Sequence, residues 1–372
     1  MRTEWVPAYH ITPASRIEAT EERLGMGPGA MKSAVRRAIA YTVIAYVPFA
    51  LAVVLDRLRA GVWDPRVQAI DTHVRTLISL PLFLLAEHVV DVHGRAATAY
   101  LTQAGVVPSE AQARFRAITD GMARLRDSNL AELVMFALAV GSSSIHVNPI
   151  PGSTMPISGL GTAVMLVLFR FVLLRWTWSW TLYTIFLARV SRLDLQLVAT
   201  HPDRMGGLGV LLGPANAFSL VAAGASAAIA GSWANNVIYQ HAPLELFQPA
   251  AMTFVLATLL LSMGPLWFFS GQLCRTRRDG LIYYGAYVHR FGQAFEAWTA
   301  EHPPAATLDA PQISVLADLG SDYERVGQMR VVLWSAKAML TLLIGCVVPM
   351  VPLLLIERRV PELVIELLKA LT

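Results

Sequence analysis

The stretch LVLFRFVLLRWTWSWTLYTIFLARVSR, residues 166–192, decides how this chain is read. It belongs to an apolar run long enough to cross a bilayer, which takes about 20 residues. Yet Arg170 falls near the middle of that run, with Arg175 a little further along. A charge at the bilayer centre costs about 2.5–3.5 kcal/mol even on the lenient insertion scale. An arginine held there faces an acid on another helix, a water-filled cavity or a permeant anion. For Arg175 the simpler reading is a side chain that snorkels to the interface. Trp176, Trp178 and Trp180 alternate below and read as an interfacial aromatic belt.

The rest of the chain agrees with this stretch. Of its 372 residues 55% are hydrophobic and 15% charged, with a mean hydropathy of +0.50. Ordinary soluble domains carry about 25% charge, so composition excludes a soluble enzyme, a disordered chain and a secreted disulfide scaffold. Apolar segments at 38–56, 76–92, 129–145, 160–184, 208–232, 249–271 and 336–356 read as spans. Lipid leaves no partner for an unpaired backbone group, so all are expected to be helical. The fold class is therefore all-α, a polytopic membrane protein with about seven transmembrane helices. The second span is the weakest, because Glu87, His88 and Asp91 follow a short clean core, and a re-entrant helix is the alternative.

Loop charge gives the orientation. Segments 146–158 and 233–248 lack Lys and Arg and read as external. The tail 1–37, with Lys32, Arg36 and Arg37, and segments 93–128 and 272–335 are arginine-rich and read as cytoplasmic. Loop 57–75 breaks the rule, since it falls outside yet carries Arg57, Arg59, Arg66 and Arg75. The expected organisation is a cytoplasmic tail (1–37), a first helix pair (38–92), a cytoplasmic amphipathic helix (93–128) and a four-helix core (129–271). A cytoplasmic helical hairpin (272–335) follows, then a last span with a short external helix (336–372). Apolar stripes support the small cytoplasmic bundle: Phe115, Ile118 and Met122 on one helix, Tyr284, Val288, Phe291 and Phe295 on another, Leu316, Leu319 and Tyr323 on a third. The first 30 residues hold four glutamates and no apolar signal-peptide core, so the first span is expected to do the targeting.

The formal net charge of +4 and the pI near 9.2 follow from cytoplasmic basic residues. No nucleic-acid motif accompanies them, so no nucleic-acid partner is expected. Cys274 and Cys346 suit neither a disulfide nor a zinc site, and no metal or cofactor is expected.

Two groups of residues are candidates for chemistry. Glu87 and Asp91 stand one helical turn apart with His88 beside them, where they are natural counter-charges for Arg170. Their plain alternative is a place at headgroup level. The second group is His201, Asp203, Arg204, Gly206 and Gly207, in the connection HPDRMGGLG (201–209). It reads either as a tight turn with Asp203 as a helix cap, or as a nest of N–H groups that binds an anion at the inner mouth of a pathway. No Lys-Ser/Thr follows, so it is not a nucleotide P-loop.

The blocks RWTWSWTLYTIFLARVSRLDLQLVATHPDRMGGLG (175–209) and QISVLADLGSDYERVGQMR (312–330), the latter followed by a span with PMVPLLL, resemble a widespread family of bacterial multi-pass inner-membrane proteins. Ala86-Glu87 matches an Ala-Glu pair in that family. The chain departs from the pattern at Ala310-Pro311, where an acidic residue is expected nearer Ile313. The resemblance implies a bacterial inner-membrane protein with its N-terminus in the cytoplasm. It implies no activity and no functional residues.

The leading expectation is an oligomeric channel or transporter for a small ion, with an anion favoured by Arg170 and the arginine-lined cytoplasmic helices. The alternative is a scaffold or sensor that docks a cytoplasmic protein on 280–335. A third reading is a lipid-modifying enzyme with His201 and Asp203 as acid and base, which lacks any recognisable catalytic motif.

Overall fold

The computed structural model describes residues 31–61, 68–144, 157–301 and 310–357. The N-terminal tail before Met31, the external loop expected after Ser144, the Pro-rich linker at 302–309 and the expected C-terminal helix lie outside the described residues. The helices are α1 (Met31–Ala60), α2 (Ile70–Gln103), α3 (Ser109–Arg126), α4 (Asn129–Ser144), α5 (Ile157–Val190), α6 (Leu212–Gln240), α7 (Gln248–Met263), α8 (Ser270–Glu301), α9 (Ala310–Gly327), α10 (Ala336–Val347) and α11 (Val351–Glu357). No strand occurs among the described residues. The protein is an all-α, multi-pass membrane protein.

Among the described residues six helices are long and apolar enough to cross a bilayer, where about seven were expected: Met31–Arg59, Ile70–Gln103, Gly159–Val190, Gly209–Gln240, a segment within Leu244–Trp298, and Ala336–Ile356. The weakest expected span, 76–92, lies inside a helix of 34 residues. The shorter one is instead 129–145: α4 has 16 described residues. At about 1.5 Å per residue these reach roughly 24 Å, short of a hydrocarbon core of about 30 Å.

Breaks in the helices fall where proline removes a donor. A π-helical turn, Arg75–Ser79, precedes Pro81 in α2. A 3₁₀ turn at Gly264–Phe269 contains the buried Pro265 and joins α7 to α8. Another at Val348–Met350 joins α10 to α11.

Helix α6 is the centre of the bundle. Helices α2, α7 and α10 pack on it, and α1, α3 and α4 pack on α5, with α2 bridging the two sets. Lipid tails are as apolar as the helices, so close contact rather than hydrophobic exclusion holds such a bundle together. The Gly, Ala and Ser run of α6 permits that contact. A Cβ on Gly224 would come within 2.7 Å of the Phe83 ring of α2. Gly345 of α10 lies directly against the Ser219 carbonyl. Ser226 donates to the carbonyl of Cys346, at 2.5 Å.

At the arginine-rich end, α3 lies on α5 with Phe115 edge-on to Phe186 at 6.2 Å. Helices α8 and α9 pack against each other as a hairpin that continues α7 out of the bundle.

Gly224→Ala is expected to lower stability by about 1–3 kcal/mol, because the buried Phe83 ring has nowhere to go. Gly271→Ala, with open space around it, is expected to change nothing or stabilise. Thermal unfolding of both variants in detergent checks this; equal melting temperatures would refute the close packing.

Candidate functional site

Glu87 is 7% exposed on α2. An unpaired carboxylate there would carry a large desolvation cost. Arg37 of α1 donates through Nη2 to its Oε2 at 2.9 Å, and Arg175 of α5 brings Nη2 to 3.6 Å from its Oε1. One buried carboxylate thus ties three helices. Two guanidiniums face this one carboxylate. The Nε of Arg37 is buried without an acceptor.

The geometry changes the expected pairing. Arg170 donates from Nη1 to the Ser143 hydroxyl of α4 at 3.4 Å, on the side of the bundle where Arg75 lies. Arg75 belongs to a second cluster: it pairs with Asp71 at 3.2 Å, and its guanidinium sits 6.0 Å from the centre of the Phe169 ring. Asp71 also accepts from Asn235 Nδ2 at 2.6 Å, and Asn235 Oδ1 accepts from the Ile70 N–H. The partner of Glu87 is therefore Arg175 with Arg37. Arg175 does not merely snorkel. His88 and Asp91 are half-buried on the turn that follows, where Arg95 Nε reaches the Asp91 carbonyl.

None of Arg37, Asp71 and Asn235 is a site candidate from the sequence. Arg37 reads as one more topogenic charge, Asp71 as a partial offset to the arginines of loop 57–75, and Asn235 as an interface polar. Arg75 did leave a signal, since it breaks the charge rule when placed in an external loop.

The connection after α5 turns out to be a closed structural unit. Arg204, Gly206 and Gly207 have φ of 58°, 67° and 94°, the left-handed region that glycine enters freely. This aims successive N–H groups inward, as an anion nest requires. The occupant is the chain's own Asp203. Its Oδ1 accepts from the Met205 N–H at 2.7 Å, its Oδ2 from the Gly209 N–H at 2.9 Å, and Gly207 N–H reaches both oxygens.

His201 Nδ1 stands 2.8 Å from Oδ1 of Asp203. Its Nε2 lies 3.1 Å from the Tyr100 hydroxyl, and the Asp203 N–H approaches Nδ1 at 3.3 Å. Burial pushes the Asp203 carboxyl up, but the donors of Met205, Gly209, Gly207 and His201 outweigh it and hold it below the usual carboxylate range. Each oxygen is spent on structure, which leaves little for an external anion or for acid–base work.

The loop is also tied outward. The Arg204 carbonyl accepts from Arg330 N–H, the Val106 carbonyl from Gln196 N–H, and Gln272 Nε2 donates to the Ser191 and Leu193 carbonyls. The α2–α3, α5–α6 and α9–α10 connections meet at this turn.

Among the described residues no group of three His, Cys, Asp or Glu is placed to hold a metal ion. Cys274 and Cys346 are free thiols. No known protein family, curated protein or solved structure matches the chain.

Asp203→Ala leaves buried N–H donors unpaired and is expected to cost about 2–3 kcal/mol of stability. Because the folded carboxyl titrates below its ordinary value of about 3.9, its contribution is full above that pH and is lost as pH falls through the folded value. Melting curves between neutral pH and pH 3 check both effects. A variant as stable as the parent at pH 7 would refute the role given to Asp203.

Proposed function

We propose that this membrane protein moves a small anion across the bilayer, with the Arg37–Glu87–Arg175 cluster as the point where the anion is held. The observation behind this reading is the convergence of two arginines on one buried acid inside the bundle. Two guanidiniums from different helices converge on one buried carboxylate. Charged groups held inside a bundle are costly, and arginines kept there suit a site that serves a charged passenger. Arg170, against the Ser143 hydroxyl, adds another arginine inside the bundle on α5. The proposed setting is a bacterial inner membrane with the N-terminus in the cytoplasm, on the strength of the loop charges and the two motif blocks.

The test is ion flux through purified protein in sealed liposomes, with empty vesicles as the baseline. Arg175→Gln is expected to reduce anion flux about tenfold, equivalent to about 1.4 kcal/mol. Glu87→Gln removes the internal competitor for the guanidiniums and is expected to lower the half-saturating anion concentration. These opposite outcomes separate a passage site from a purely structural ion pair, for which both variants would only lose stability. Flux no greater than from empty vesicles would end the transport reading.

A scaffold role rests on a different observation. Tyr283, Tyr287 and Phe291 stand exposed at four-residue spacing on α8, outside the packed core. A ladder of this kind suits the docking of a partner helix. Vesicles silent to every ion, together with a partner captured by the intact protein and lost in Tyr287→Ser/Phe291→Ser, would favour it.

A further inference from the structure

The Glu87 carboxylate stands between the two arginines on which the anion reading depends. Its Oε2 accepts from Arg37 Nη2 at 2.9 Å, and its Oε1 lies 3.6 Å from Arg175 Nη2. Each oxygen is turned to a different helix, so an incoming anion meets guanidiniums that already face a negative charge. Like charges at such distances repel strongly in a bundle interior. The Arg37 and Arg175 side chains keep 17% and 19% of their surface exposed, so the cluster is not sealed. An anion that takes the arginines must displace the charge of Glu87.

That charge has no route to water. Phe83, Ala86 and Val90, on the same stretch of α2, are fully buried, as Glu87 nearly is. Phe83 is seated over Gly224, which holds this stretch against α6. The ionisable neighbours offer no replacement nearby. On α2, His88 lies within electrostatic reach of Arg37, Arg95 and Asp91, and His93 is turned to Gly213 and the Val89 carbonyl. Arg95 is two turns from Glu87, about 12 Å along the axis, and reaches the Asp91 carbonyl. Helix α1 brings Arg37, with exposed Arg36 next to it and Tyr41 one turn on; α5 brings Arg175; α6 has no charged residue along its length. A buried carboxylate parted from its cations is far costlier than the neutral acid.

We infer that the anion binds together with one proton, which passes from solvent to a Glu87 oxygen. The neutral acid releases both guanidiniums, and the anion takes the place of its charge between them. This rests on the transport reading of the cluster. A monovalent anion and a proton sum to zero charge, so the protein is a proton-linked carrier rather than an open anion channel. Linkage is reciprocal: a proton taken up with the anion makes anion binding weaken as pH rises.

The experiment titrates potassium nitrate, and separately potassium chloride, into purified full-length protein in weakly buffered detergent solution with a pH indicator and potassium gluconate. Uptake approaching one proton per bound anion is expected, with Kd rising by up to about tenfold per pH unit. Glu87→Gln is expected to bind the anion without proton uptake and with a Kd that no longer follows pH. Glu87→Asp and His88→Ala are expected to retain the uptake. In sealed vesicles with the potential clamped by potassium and valinomycin, an inward nitrate gradient is expected to acidify the interior more than in empty vesicles. Anion binding without proton uptake by the parent protein would overturn the coupling and leave the transport reading standing, and this arm needs no variant to fold. Uptake that survives in Glu87→Gln and is lost in His88→Ala would overturn the role of Glu87. Absence of both binding and flux would overturn the coupling and the transport reading together.

Discussion

The close contact of α6 with its neighbours is the condition on which the remaining structure rests. In lipid a leucine gains little by leaving one apolar surrounding for another, so helices stay together only where their backbones approach closely or where polar groups join them. Helix α6 meets the first condition. Phe83 is seated over Gly224, and Gly345 is seated against the Ser219 carbonyl. With α2 and α10 fixed in this way, α2 presents Glu87 toward α1 and α5, where Arg37 and Arg175 meet it.

Polar groups do the joining at both ends. At one, Asp71, Arg75 and Asn235 connect the start of α2 to the end of α6. At the other, Asp203 fills a nest of N–H groups in the connection that the α2–α3 link, α8 and the α9–α10 link all touch. Both junctions satisfy backbone donors as well as side chains. Both therefore act as fixed points between which the middle of the bundle, with its buried ion pair, is held.

The two internal sites differ in physical character. The Glu87 cluster is charged and joins three helices. The cleft lined by Trp176, Phe218 and Phe254 between α5, α6 and α7 is apolar. Trp176 and Arg175 are adjacent in sequence, so the same turn of α5 serves both sites.

Much of the fold was legible in the residues. Hydropathy alone marks a multi-pass helical protein, because lipid demands internal backbone pairing whatever the tertiary arrangement. The turns before Pro81 and around Pro265 follow from the missing proline donor, and the small-residue run of α6 announces a packing face. Helical periodicity could place Glu87 and Arg170 on faces, but it carries no information about which helix lies opposite. Only the tertiary structure decided that Glu87 meets Arg37 and Arg175, and that Arg170 meets Ser143. The same holds for the glycine turn. Its sequence allows a nest for an anion, and only the fold of the loop brings the Asp203 side chain, a few residues away in the chain, into the place that anion would take. Local sequence fixes which conformations and charges are available. Which charge finds which depends on contacts between residues far apart in the chain.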